Sequence, residues 1–138
     1  DEPLSVLLFD LDLLKRINDE HGHLAGDAVL RAFGALLARE LHGRNLIGRY
    51  GGEEFLAILP GYTGSQAGQV AERVRQRCGE MSPTAPETGA AVRVTVSVGV
   101  AAMQPQEDAS ELLARVDARL YQAKESGRDM VVAPEYVD

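Results

Sequence analysis

The sequence predicts an α+β sandwich of the ferredoxin-like type, with a mainly antiparallel central sheet flanked by helices, in a single domain of residues 1–138. Three observations predict it. A hairpin signal, Leu46 to Tyr50 and Phe55 to Leu59 around Gly51-Gly52-Glu53-Glu54, interrupts an otherwise alternating strand–helix pattern and requires antiparallel neighbours. Residues 92–100 alternate valine with Arg93, Thr95, Ser97 and Gly99, the period of a strand. A chain of 138 residues that is 45% hydrophobic and 25% charged has the size and composition of one globular domain. The resulting order is βααββαβαβ, and the hairpin argues against a doubly wound parallel sheet.

Taken in order, Leu4 to Phe9 is a short apolar run ending in Asp10, the pattern of a strand buried on both faces. A polar helix follows from Leu13 to about Glu20, broken by Gly22. A second helix is expected to start near Gly26 or Asp27 and reach His42, with Leu30, Phe33, Leu37 and Leu41 inward and Gly43 as C-cap. The paired glycines of the hairpin offer the positive φ angles of a tight turn, and Pro60-Gly61 ends it. A third helix carries Ala67, Val70, Ala71, Val74 and Cys78 on one face. Ser82–Gly89 reads as a surface loop, and residues 92–100 as a half-buried strand. The last helix spans about Ser110 to Ser126, with Leu113, Val116 and Leu120 inward and Gly127 as its stop, before a short strand at Met130 to Val132.

Fourteen Lys and Arg against 21 Asp and Glu give a net charge of −7. That argues against non-specific nucleic-acid binding and against docking on anionic lipid. It leaves open a phosphorylated small molecule whose charge a metal ion offsets. One cysteine, Cys78, excludes an internal disulfide and points to a reducing, cytoplasmic setting. No apolar run approaches the roughly 18 residues of a membrane span, and no secretory signal opens the chain. The chain starts at Asp1 rather than Met, so a fragment trimmed from a longer protein is expected.

Four places carry candidate chemistry. Asp10, at the end of a buried strand, and Glu53 and Glu54, in the hairpin turn, form a costly carboxylate cluster unless a cation such as Mg²⁺ neutralises it; a solvated turn is the plain alternative. Gly51 and Gly52 either shape that turn or let a ligand approach the backbone. Asn18 and Asp27 flank an unusually polar junction, where an amide and a carboxylate suit the donors and acceptors of guanine, or simply cap helices. Lys124 and Arg128, four apart, project from one face if the last helix extends that far. They then hold phosphate oxygens or merely suit the helix dipole.

Four stretches in order resemble the GGDEF-domain family, the bacterial diguanylate cyclases. They are Asp-Leu-Asp-Leu-Leu-Lys-Arg-Ile-Asn at 10–18, Asn-Asp-Glu-His-Gly-His-Leu-Ala-Gly-Asp at 18–27, Arg-Tyr-Gly-Gly-Glu-Glu-Phe at 49–55, and Tyr-Gln-Ala-Lys-Glu-Ser-Gly-Arg at 121–128. The third is the family signature in its GGEEF form. The resemblance implies a palm-type fold that condenses two GTP into cyclic di-GMP, releasing pyrophosphate, with two Mg²⁺ (or Mn²⁺) per active site and two domains meeting face to face in a transient homodimer. It carries over Asp10, Glu53 and the Leu11 carbonyl as metal ligands and Glu54 as a required acid beside them. Asn18 and Asp27 become guanine contacts. Lys124, Arg128 and the backbone of Leu13, Leu14 and Lys15 become phosphate contacts, with Gly51 and Gly52 leaving room for the nucleotide. It also implies the cytosolic domain of a larger regulatory protein, membrane-attached in some arrangements, whose upstream pairing segment is missing, so that the isolated domain is mostly monomeric and weakly active.

The sequence departs from the family in two places. Leucines at 13 and 14 stand where an aromatic is usual, a change of packing rather than of backbone contact. The product-inhibition motif, an Arg-x-x-Asp before the signature glycines, is replaced by His42-Gly43-Arg44-Asn45, with Arg44 displaced from the usual place. Weak or no product inhibition through that surface is expected, with cyclic di-GMP held mainly in the substrate pocket. The alternative to an active cyclase is a catalytically silent module that binds GTP or cyclic di-GMP and regulates a partner domain.

Overall fold

The computed structural model describes residues 2–134 and has nine elements in the expected order: β1 (Leu4–Leu11), α1 (Leu14–His21), α2 (His23–Glu40), β2 (Leu46–Arg49), β3 (Glu54–Pro60), α3 (Gly64–Glu80), β4 (Val96–Ala102), α4 (Ala109–Glu125) and β5 (Val131–Val132). The strands form one sheet in the order β2-β3-β1-β4-β5, antiparallel except for the parallel β4–β5 pair. This is an α+β architecture. β1 is central, and residues 5–11 are buried, which is why it reads as an unbroken apolar run.

The sheet divides two apolar layers. Leu7, Phe9, Leu11, Phe55, Ala57, Val96 and Val98 face α1, α2 and α3. Phe33 of α2 lies edge-on between Phe9 and Phe55, at 5.5 and 5.2 Å between ring centres. On the other face Val6, Leu8 and Ala101 pack under Leu112, Val116 and Leu120 of α4. The helix starts are set locally. Thr63 and Gln66 form a reciprocal capping box at α3, as do Asp108 and Glu111 at α4. Cys78 is fully buried, and burial pushes its thiol up to about 12. No helix among the described residues is long and apolar enough to cross a membrane.

Several expectations are corrected. α2 begins at His23 rather than near Gly26, because Gly22, at φ 99, ends one helix and starts the next. It ends at Glu40 with Leu41 as C-cap, not Gly43. Residues 92–95 keep alternating burial but lie before β4, which starts at Val96 and is buried on both faces. The reason is Gly99: a Cβ there would lie 2.4 Å from the Val116 carbonyl oxygen, so only glycine lets α4 settle onto the strand. In α4 Leu112 is buried with Val116, Leu120 and Ala123, while Leu113 is partly buried against the same cluster. Neither Gly51 nor Gly52 takes a positive φ, so the turn does not depend on left-handed glycine.

Candidate functional site

The pleat decides which carboxylates meet. Asp10 lies directly opposite Glu54 on β3 and Ser97 on β4, so the three side chains share the face covered by α4. Side chains directly opposite in an antiparallel pair have Cβ atoms about 5 Å apart, and like charges there repel. Asp10 is only 3% exposed. Lys124, near the end of α4, lies over that face and forms a close ion pair with the buried Asp10 carboxylate. Glu53 precedes Glu54, and its carbonyl accepts from the Leu11 N–H at 3.3 Å, which ties the turn to the end of β1. Burial, followed by the charge of Asp10, pushes the carboxyls of Glu53 and Glu54 above their ordinary value, against the opposing pull of Lys124. The register thus brings Asp10 and Glu54 together, and Glu53 lies near enough to feel the Asp10 charge.

The turn has its own scaffold. Tyr50 N–H donates to the Glu54 carbonyl at 2.8 Å. Arg49, which the sequence reading did not single out as a site residue, donates to the Gly52 carbonyl and lies over the Phe55 ring at 5.2 Å. A Cβ on Gly51 would come within 3.1 Å of the Glu54 carboxylate, whereas nothing lies within 4 Å of one on Gly52. Gly51 thus leaves room for the Glu54 carboxylate, and Gly52 borders open space.

Beyond Asp10 the chain turns through Leu13, which takes φ 56 and caps α1 without a side-chain hydrogen bond. The first-turn N–H groups of a helix have no intrahelical partner, so the backbone at 14–16 presents open donors at the start of α1. Leu14 buries its side chain, so only its backbone is available to a ligand. Lys15 is exposed and 3.5 Å from Asp19. At the α1–α2 junction the Asn18 Oδ1 accepts from the Gly26 N–H at 2.7 Å, and the next residue, Asp27, is exposed. Asp27 lines a cleft of about 440 Å³ with Leu30, Arg31, Gly34, Arg49 and Phe55. A second residue missed in the sequence, Glu87, braces this junction by accepting from the Leu24 N–H at 3.1 Å. Only folding brings it there, from 63 residues away. Another cleft, about 470 Å³, lies behind α1 against residues 92–95 and holds only Leu13 of the expected site residues.

Lys124 and Arg128 do not project from one helical face. α4 stops at Glu125, and Gly127 and Arg128 take φ 123 and 65. The Arg128 N–H returns to the Ala123 carbonyl at 2.9 Å in a Schellman-type cap, which places Arg128 on the loop beyond the helix. Asp12, two residues past Asp10, is not part of the acidic rim. It accepts from Thr95 Oγ1 and Ser97 Oγ, each at 2.7 Å, and from the Asp129 N–H at 3.1 Å.

Among the described residues no three His, Cys, Asp or Glu side chains converge into a ready metal cage. A magnesium-type ion does not need one, since it takes one or two carboxylates and keeps positions for water and phosphate. The donor set fits such an ion: Asp10 and the acidic turn draw positive charge strongly enough that Lys124 is seated against Asp10.

A family model described as "Diguanylate cyclase, GGDEF domain" matches residues 1–130. The response regulator PleD of Caulobacter vibrioides is 43% identical over 132 residues, covering 95% of this chain and 29% of PleD. The chain thus spans less than a third of that relative. The GGDEF domain of DgcB from Caulobacter crescentus, solved in complex with c-di-GMP, matches with a TM-score of 0.89 at 31% identity, over 94% of this chain and 77% of that one. The active GGEEF domain of a diguanylate cyclase from Vibrio cholerae matches with a TM-score of 0.86 at 32% identity, over 95% and 82%.

Proposed function

The chain belongs to the GGDEF family of diguanylate cyclases, and from that premise we propose that it condenses two GTP molecules into cyclic di-GMP, releasing pyrophosphate at each of two bond-forming steps. The observation that carries this is the rim where buried Asp10 faces Glu54 in register, beside Glu53 and under Lys124.

In this reading Asp10, Glu53 and the Leu11 carbonyl hold two Mg²⁺ or Mn²⁺ ions, which when bound offset charge on the α-phosphate and the departing pyrophosphate. Lys124 and Arg128 bind triphosphate oxygens, together with the open N–H groups around Leu13, Leu14 and Lys15. With its Oδ1 committed to Gly26, Asn18 donates its NH₂ to guanine O6 or N7. Asp27 accepts from guanine N1–H and the 2-amino group. Gly51 and Gly52 leave room for ribose and phosphate, and Glu54 adds a further carboxylate at the reacting rim. The 3′-hydroxyl of one GTP attacks the α-phosphorus of the other, forming the phosphodiester as the bond to pyrophosphate breaks. The product has two-fold symmetry, so two copies of the chain, each holding one GTP, meet across a two-fold axis in a transient homodimer.

The surface at His42–Asn45 lacks the family's inhibitory pair, and Arg44 is engaged by Glu2 through contacts of 3.2 and 2.5 Å. Product therefore competes at the substrate pocket and is not captured by residues 42–45. A buried, unpaired Cys78 suits a reducing cytoplasm.

The test is to incubate the chain with GTP and Mg²⁺ and resolve the products chromatographically. Cyclic di-GMP is expected, and Glu53→Ala and Glu54→Ala abolish it. A chain that binds GTP yet stays silent at high concentration overturns the enzymatic reading in favour of a regulatory nucleotide-binding module.

A further inference from the structure

The loop after α4 holds three consecutive residues at positive φ: Gly127 at 123, Arg128 at 65 and Asp129 at 50. Glycine adopts such angles freely, but two adjacent non-glycine residues persist there only where their surroundings hold them. The surroundings do so from three sides. The Arg128 N–H donates to the Ala123 carbonyl at 2.9 Å, and the next residue's N–H donates to the buried Asp12 carboxylate at 3.1 Å. The Asp129 carboxylate accepts from Arg75 Nη1 at 2.8 Å.

Arg75 is itself pre-oriented. Its Nε and Nη2 are held by Glu72, one turn earlier on α3, at 2.9 and 2.6 Å, leaving Nη1 aimed at Asp129. Glu72 and Arg75 lie on α3, which packs Val70, Ala71 and Val74 into the core, and Asp12 is buried in the turn after β1. The residue whose direction they fix is Arg128, exposed and at the middle of the turn.

We propose that Asp129, clamped between Arg75 and Asp12, is a positioning residue that holds the strained turn so that Arg128 faces the triphosphate. This rests on the reading of Arg128 as a phosphate contact. The residue itself touches no substrate and acts only through the direction it gives its neighbour. Arg75, on a helix remote in sequence from every motif of the site, thereby becomes part of the binding machinery.

The experiment is a double-mutant cycle read by GTP·Mg²⁺ affinity, together with amide hydrogen exchange of the ligand-free chain. Asp129→Ala weakens GTP roughly three- to tenfold, as expected for loss of a partly exposed charged contact and its geometry. The same change made in Arg128→Ala costs nothing further. Asp129→Asn, which tolerates left-handed φ and still accepts from Arg75, restores most of the affinity. Arg75→Ala speeds exchange of the Asp129 amide, and Arg75→Lys serves if that variant folds poorly. Unchanged exchange in both Arg75 variants overturns the clamp whatever Arg128 does, as does an Asp129→Ala loss that persists in the Arg128→Ala background. Unchanged affinity in Arg128→Ala alone, with exchange accelerated as expected in the Arg75 variant, instead overturns the phosphate-contact reading and with it the role given to the clamp.

Discussion

Gly99→Ala is the sharpest perturbation the fold offers. The added Cβ would stand 2.4 Å from the Val116 carbonyl oxygen and 2.6 Å from the Leu120 nitrogen, both backbone atoms of α4. Neither can swing aside as a side chain would. To restore a tolerable 3.0–3.4 Å, α4 must retreat from β4 by about 0.6–1.0 Å, the difference between those limits and 2.4 Å. Overpacking of this kind costs about 1–3 kcal/mol. For a chain of this length that is a fall in Tm of roughly 3–15 °C. The same helix carries Lys124, so GTP binding weakens as the Lys124–Asp10 pair is pulled apart. Calorimetric melting of the variant, with Gly79→Ala as control, gives the answer. Gly79 lies on α3 with nothing within 4 Å of an added Cβ, and that change stabilises by about 0.5–1 kcal/mol. A Gly99→Ala protein melting within about 1 °C of the parent, well inside the shift expected for even a mild overpacking, refutes the close approach of α4 to the sheet.

Glu53 and Glu54 hold their protons more tightly folded than unfolded, so their ionisation opposes folding. Stability of the ligand-free chain therefore falls as pH rises from the ordinary glutamate range through the raised values. Glu53→Gln and Glu54→Gln melt higher than the parent at about pH 8 and lose that advantage near pH 4; a gain that grows on acidification contradicts the sign. Lys124→Ala strands the buried Asp10 carboxylate at a cost of about 1–3 kcal/mol, and Mg²⁺ raises the Tm of this variant more than that of the parent. Equal Mg²⁺ responses in thermal-shift assays count against a cation at Asp10. Inhibition kinetics with added cyclic di-GMP show competition with GTP only, and Arg44→Ala leaves the inhibition constant unchanged; a non-competitive component removed by that change reverses the assignment.

What the sequence revealed and what it hid follow from the range of the interactions. Asp10 at the end of an apolar run and Glu53-Glu54 between two short runs were readable because strand and hairpin signals are local. Their meeting follows from the β1–β3 register, which puts Asp10 opposite Glu54. The start of α2 was misplaced because the residue that braces it, Glu87, lies 63 positions away. Residues 92–95 carry strand periodicity but lie outside the sheet, where Thr95 donates its hydroxyl to Asp12 instead. β4 looked half-buried because Ser97 and Gly99 are small and polar-looking, yet one bonds Asp12 and the other admits α4. The helical spacing of Lys124 and Arg128 was misleading, because Gly127 ends the helical geometry between them.

The central claim is that a divalent cation and GTP meet where β1 ends against the acidic turn. Paramagnetic Mn²⁺ tests it directly. Titrated with GTP into the isotopically labelled chain, it should broaden the amide signals of Asp10 to Leu14 and Gly51 to Glu54 first, and Glu53→Ala should abolish that selectivity. Broadening centred on the cleft behind α1, or none at these two segments, contradicts the account.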